Sequence, residues 1–373
     1  MREYYCCKFQ IRSNDNVILL GGRLLQKFVV DTYIKIETSR LRFYELNQTK
    51  IKADLYQGIV DCVNVGEVQP SRVGQRVVFP ESFIRGPCDM RQRFLDVMAL
   101  VQDDGKPDIF LTMTCNPKWP EILKDLLPGH IAQDRPDLVT RIFRAKLEDL
   151  KDQLFHKKIL GFVRAYVYVI EFQKRGFSHA HFLTIMRLDD KMTNPDHYDK
   201  IVCAEIPDPA KYPEMHQLVV QHMMHGPCGH LRPSSPCMQC ESKISRFRYP
   251  RQFNDKTSQA ENSYPLYRRR NIGRDVNVRG NTLDNRWIVP YNPKLLMMFN
   301  CHINVEACSS ITSVKYLFKY IYKGHDKQIM HIDPNKGQSI INEIKRFQDA
   351  CYVSRRRQCG GFLALRFLKF NLM

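Results

Sequence analysis

The spacing of apolar positions changes several times along the chain, and each change marks an element. Between residues 37 and 56, Leu41, Tyr44, Leu46, Ile51 and Leu55 recur with few breakers between them. This predicts a long surface helix with a basic, glutamine-bearing face. Residues 108–122, DIFLTMTCNPKWPEI, begin as an apolar strand with alternating threonines and stop at an Asn-Pro turn. Pro136 suits the first turn of a second helix over 136–159, in which Leu138, Ile142, Phe143, Leu147, Leu150 and Leu154 keep helical spacing. The stretch AYVYVI, residues 165–170, is β-branched and aromatic; a polar turn at 173–176 and a new apolar run follow, which predicts a hairpin. Residues 188–215 are polar and proline-bearing and read as an insertion. Helical period returns at 311–323, ITSVKYLFKYIYK. At roughly 100° per residue, Val314, Leu317, Phe318 and Ile321 share one face, and Tyr316, Lys319, Tyr320 and Lys323 share the opposite one.

Strand, helix, strand, strand and a further helix is the order of a ferredoxin-like, split β-α-β arrangement, so the expected class is α+β. Two groups on this frame carry candidate chemistry. His179 and His181 are two apart on the second hairpin strand, so both imidazoles leave from one face and can hold a single metal ion. The hairpin sets Glu171 or Gln173 beside them as a third ligand. Ordinary strand histidines share the same spacing, and the motif counts only in context. The polar side of the 311–323 helix supplies context. A divalent ion can polarise a phosphodiester and offset charge on an in-line transition state, leaving a tyrosine hydroxyl to attack. Lys319 and Lys323 then lower the phenol pKa or hold phosphates. Tyr322 lies off this face. The competing reading is amphipathic packing with wet hydroxyls.

Taken in order, FLTMTCNPKWPEI, EFQKRGFSHAHF, HGPCG with SPCM, NRWIVPYNPKLL, HINVEAC and VKYLFKYIYKGHDK resemble the N-terminal, replication-initiator (helicase-like) part of Helitron transposases. That family lies within the HUH endonucleases, named for histidine, hydrophobic residue, histidine. The likeness runs over about residues 16–330. It implies an HUH palm, His179 and His181 as ligands for Mg2+ or Mn2+, and Tyr316 and Tyr320 as the nucleophilic pair. It also implies nicking and joining of single-stranded DNA at transposon ends through a 5′-phosphotyrosine link that leaves a free 3′ hydroxyl. His302 and Glu306, within CHINVEAC, are family-like without a role derivable from the sequence; they contribute to the site or, the favoured reading, orient or pack. Departures from the family are local. Gly176, Phe177 and Ser178 stand where a Gly-Leu-Pro is usual; the pattern blurs around 85–89; Cys240 arrives early in CMQCESK; and the tail leaves the family after residue 350. The alternative is therefore a catalytically decayed transposon remnant, acting at most as a single-stranded DNA-binding module. The expected organisation is a partly helical region over 1–105, an HUH endonuclease domain over 106–330 with a Cys/His-rich, basic insertion at about 188–290, and a degenerate or truncated tail over 331–373.

Charge favours the same partner. With 57 Lys and Arg against 39 Asp and Glu, the 373-residue chain carries a formal charge of +18, and a polyanion neutralised by it releases counterions. Much of the excess lies between residues 243 and 286, where Arg268, Arg269, Arg270 and Arg274 alternate with aromatics such as Tyr264 and Tyr267. Guanidinium groups interleaved with rings suit single strands, by phosphate contact and base stacking. A solvated basic loop is the plainer reading. The 13 cysteines are scattered, odd in number, and preceded by no apolar leader, so reduced thiols and an intracellular location are expected, nuclear in a eukaryote, with no membrane association. Four residues form a separate group. His225 and Cys228, then Cys237 and Cys240, have the paired spacing of a tetrahedral Zn2+ site, against the alternative of a Gly-Pro turn with buried thiols. No G-x-x-x-x-G-K-[ST] occurs, so neither helicase nor ATPase chemistry is expected despite the family's name.

Overall fold

The computed structural model describes residues 2–10, 16–54, 77–84, 86–172, 177–238, 245–259, 265–308, 342–350 and 368–372. They fall into two compact units, one drawn from Met1–Ala99, Leu126–Thr140 and Phe318–Leu365, the other from Leu100–Asp125, Arg141–Leu317 and Arg366–Met373. The chain is α+β.

The first unit is helical among its described residues. Its longest helix runs Arg23–Leu46 and buries Leu25, Gln26, Val29, Thr32, Glu37 and Leu41. It starts well before the expected residue 37 and stops at Asn47, whose side-chain amide donates to the Phe43 carbonyl; a separate helix, Gln48–Asp54, follows. The early turns are rich in Val29, Val30, Thr32, Ile34 and Ile36, β-branched residues that lower local helix preference. Packing overrides this. Leu25 and Val29 close a core with Phe9 and Leu19, and farther along Leu41 meets Phe79, Phe83 and Ile344, with the two phenylalanine rings stacked at 3.9 Å.

The second unit holds strands β1 (Ile109–Thr114), β2 (Val163–Phe172), β3 (Ser178–Met186), β4 (Val276–Val278), β5 (Asn281–Leu283), β6 (Ile303–Ala307) and β7 (Leu368–Leu372). Five of them form one antiparallel sheet in the order β6-β1-β3-β2-β7, and β4 pairs only with β5. The expected hairpin is β2 with β3, and β3 inserts between β1 and β2. Because side chains alternate across a strand, register sorts the residues into two faces. Tyr166, Tyr168, Phe182, Ala180, Leu111 and Met113 share the apolar face. The helix Pro136–Lys151, of which residues from Arg141 onward belong to this unit, and the π-helical turn Asp152–His156 supply its cover. Phe155 stacks on Tyr166 at 3.7 Å, and Lys151 sits over the Tyr168 ring. The opposite face is graded. Val167, Leu183 and Phe110 lie at one end, Val169, His181 and Thr112 follow, and Glu171, His179 and Thr114 lie at the other.

Between β3 and β6 the chain forms a lobe of short helices, among them Pro195–Ile201, capped by Asn194 accepting from His197 N–H, and Pro293–Phe299, capped by Asn292 accepting from Leu295 N–H. The end of β1 is pinned to this lobe. Trp119 Nε1 donates to the Phe299 carbonyl at 2.8 Å, and Asn116 Nδ2 to the Asn300 carbonyl at 2.7 Å. Among the described residues, no helix is long and apolar enough to cross a membrane.

Candidate active site

β3 is the middle strand of the five, so His179 and His181 have a neighbour on each side. Their rings meet edge to face at 4.4 Å. On the β2 side, Glu171 is in register with His179, and its Oε2 lies 3.4 Å from His181 Nε2. On the β1 side, Thr114 is in register with His179, and its Oγ1 lies 2.7 Å from His179 Nδ1. With the proton on Nδ1, the ring donates to that hydroxyl and leaves the Nε2 lone pair for a metal. Thr114 N–H in turn donates to the His302 carbonyl at 2.9 Å, which sets His302 one residue before β6 and opposite Thr114. Glu171, His179, Thr114 and His302 therefore form one row across four strand positions.

Burial governs the charges in this row. It pushes the His179 imidazole well below its ordinary pKa, and positive charge on His181 or His302 would push the same way. His302 is lowered to about 4, by burial first and then by His222. Its Nδ1 is buried with no hydrogen-bond partner among the described residues. At neutral pH both rings are thus uncharged, the form with a lone pair to give. At the other end of β3, Asp108 accepts from Met186 N–H at 2.8 Å, and burial raises its carboxyl.

Two strand neighbours, Thr114 and Glu171, meet the histidine pair, and of the two expected third ligands Glu171 is the one the structure describes. Gln173 lies outside the described residues, as do Tyr316, Lys319, Tyr320 and Lys323. Each of the four arginines has a partner within the protein. Arg269 is only 4% exposed, and its Nη1 donates to the Asn285 carbonyl at 2.7 Å. Arg270 grips Glu205 through Nε at 2.8 Å and Nη2 at 2.7 Å. Arg268 bridges Asp199 and Glu205, and Arg274 pairs with Asp208 at 3.0 Å. Arg269 is consequently an interior, structural residue; the others are exposed in part but already carry carboxylate partners. His225, Cys228 and Cys237 come together in a separate cluster, and Cys240 lies outside the described residues.

The sequence model of a family described as "Helitron helicase-like domain at N-terminus" matches residues 4–184. Those residues belong to that family. The Helitron helicase-like domain so defined includes β1, β2 and both histidines of β3, and hence Glu171, Thr114, His179 and His181. His302, the arginines and the His/Cys cluster lie beyond the matched span. No curated protein matches the chain. Thr114 escaped the sequence reading because a threonine on an apolar strand carries no signature; its spacing from Asn116 and its register opposite a histidine strand were the available clues.

Proposed function

We propose that the Helitron kinship extends to chemistry: residues 106–330 form an HUH endonuclease on a split β-α-β palm that nicks and rejoins single-stranded DNA at transposon ends. The observation that supports this best is the His179–His181 pair on the middle strand, with Glu171 at 3.4 Å from His181. The helix that links β1 to β2, with β3 inserted between those strands, is the split connection expected of such a palm.

Two imidazoles and a carboxylate suit a divalent cation, and Mg2+ or Mn2+ would polarise the scissile phosphodiester there. His179 and His181 would hold it, Glu171 would complete the donor set, and Thr114 would fix the His179 tautomer. A tyrosine oxygen, from Tyr316 or Tyr320, forms the new bond to phosphorus as the bond to the 3′ oxygen breaks. The strand's 5′ phosphate stays on the enzyme and the 3′ hydroxyl leaves. Lys319 and Lys323 would hold the phosphates.

The test is a nicking reaction on single-stranded oligonucleotide with Mn2+ or Mg2+, read on a denaturing gel. A covalent protein-DNA adduct is expected, abolished by chelator, by His179→Ala or His181→Ala, and by the double change Tyr316→Phe with Tyr320→Phe. An adduct that survives the double change removes this pair as nucleophiles and points to Tyr322. A binding remnant without turnover would retain oligonucleotide under every condition and form no adduct under any.

A further inference from the structure

The insertion lobe has a small core of its own, and its centre is a thiol. Cys228 is fully buried against Tyr249, Leu283 and Trp287. Two branches of chain converge on it. In the first, His225 N–H donates to the Trp287 carbonyl at 2.8 Å, Met224 bridges Ile288, and the His225 ring stacks on Tyr249 at 4.2 Å. Gly226 and Pro227 then turn the chain, and Gly229, at φ 65°, takes it away from Cys228 through a conformation that suits glycine. In the second, Met238 bridges Ser245, and Arg246 N–H donates to the Cys237 carbonyl at 2.8 Å.

One atom from each of His225, Cys228 and Cys237 lies within 4.8 Å of the other two, and His225 Nδ1 is 3.9 Å from Cys228 Sγ. Tetrahedral bonds of about 2.3 Å to sulfur and about 2.0 Å to nitrogen place such atoms roughly 3.5–3.8 Å apart. The three therefore stand no more than about 1.3 Å looser than a loaded site demands, which side-chain rotation can take up.

We propose that His225, Cys228 and Cys237 bind a structural Zn2+, which closes the insertion lobe independently of the histidine pair on β3. Two thiolates and an imidazole are a soft donor set that selects zinc over the hard ions suited to the β3 site. Binding releases both thiol protons and requires the His225 lone pair at Nδ1, with its proton on Nε2. In the metal-free ring Nδ1 instead lies 2.9 Å from the Gly226 carbonyl, a hydrogen bond the ion replaces. Three protein ligands leave the fourth tetrahedral position to water. The ion ties the 225–229 turn to the 237–249 branch, and so fixes the turn that exposes Arg246, Phe247 and Arg248.

Metal analysis of the full chain, purified without added metal, tests this. About one zinc per chain is expected, lost in Cys228→Ser and in Cys237→Ser and retained in His179→Ala and His181→Ala. Cobalt in its place should give the visible absorption of a tetrahedral thiolate site. Should the serine variants fail to fold, the unaltered chain still decides. Alkylation mapped by peptide mass should leave Cys228 and Cys237 protected until a zinc chelator is added. A chain without zinc, zinc kept by both serine variants, zinc lost only with the β3 histidines, or alkylation indifferent to chelator each overturns the proposal.

Discussion

Thr114→Val is the sharpest probe of the histidine row, because valine keeps the branched shape and removes only the hydroxyl that lies 2.7 Å from His179 Nδ1. Two effects follow from the geometry. The first is on folding: a partly buried hydrogen bond of this kind contributes about 0.5–1.5 kcal/mol, so a loss of that order is expected. The second is on metal binding. Without the hydroxyl neither ring orientation nor tautomer is fixed, and loss of such an orienting partner typically weakens a metal by about 10- to 100-fold, or roughly 1.4–2.7 kcal/mol. Mn2+ titration followed by calorimetry, with urea unfolding of the metal-free chain alongside, separates the two. Thr114→Ser should restore most of the affinity, since it returns the oxygen without the methyl. If Thr114→Val binds Mn2+ as tightly as the unaltered chain, the hydroxyl does not orient a ligand, and His179 would have to be reconsidered as one.

Acid should destabilise the fold through His302, whose folded pKa of about 4 lies below the ordinary 6.5. The unfolded chain then takes up the proton first, so the stability from this group is complete above pH 6.5 and is lost as pH falls toward 4, by up to about 3 kcal/mol. Urea midpoints for the chain and for His302→Gln should converge between pH 7 and pH 5; parallel profiles would refute the assignment. Arg269→Ala should cost about 2–3 kcal/mol by removing the buried guanidinium that donates to the Asn285 carbonyl, which keeps only the longer bond from Ile288 N–H, whereas Arg268→Ala, with its head partly in solvent, should cost under about 1 kcal/mol. Equal losses, or a single-strand affinity whose salt slope falls with Arg269→Ala but not with Arg268→Ala, would contradict the interior placement.

What could be read from the sequence and what could not divide along a physical line. The β2–β3 hairpin and the Pro136–Lys151 helix were legible because their periods, two and 3.6, survive in the order of residues alone. The early turns of the Arg23–Leu46 helix were hidden by β-branched residues whose local preference opposes the packing that prevails. The partners of the arginines were hidden for a related reason. Composition counts charges but not partners, and Glu205 lies 65 residues from Arg270, so the carboxylate that occupies it is invisible until the lobe folds. The same distance explains the histidine row. A middle strand borrows its surroundings from both sides, so the groups that meet His179 come from positions 114 and 171 and, one strand farther on, from 302. No spacing rule joins these numbers; only the order β6-β1-β3-β2 does. The HxH spacing therefore locates a candidate site but does not specify it, because the hydroxyl that meets its first histidine is chosen by strand register. A one-residue slip of β1 against β3 would turn Thr114 to the apolar face while leaving every residue of the motif in place.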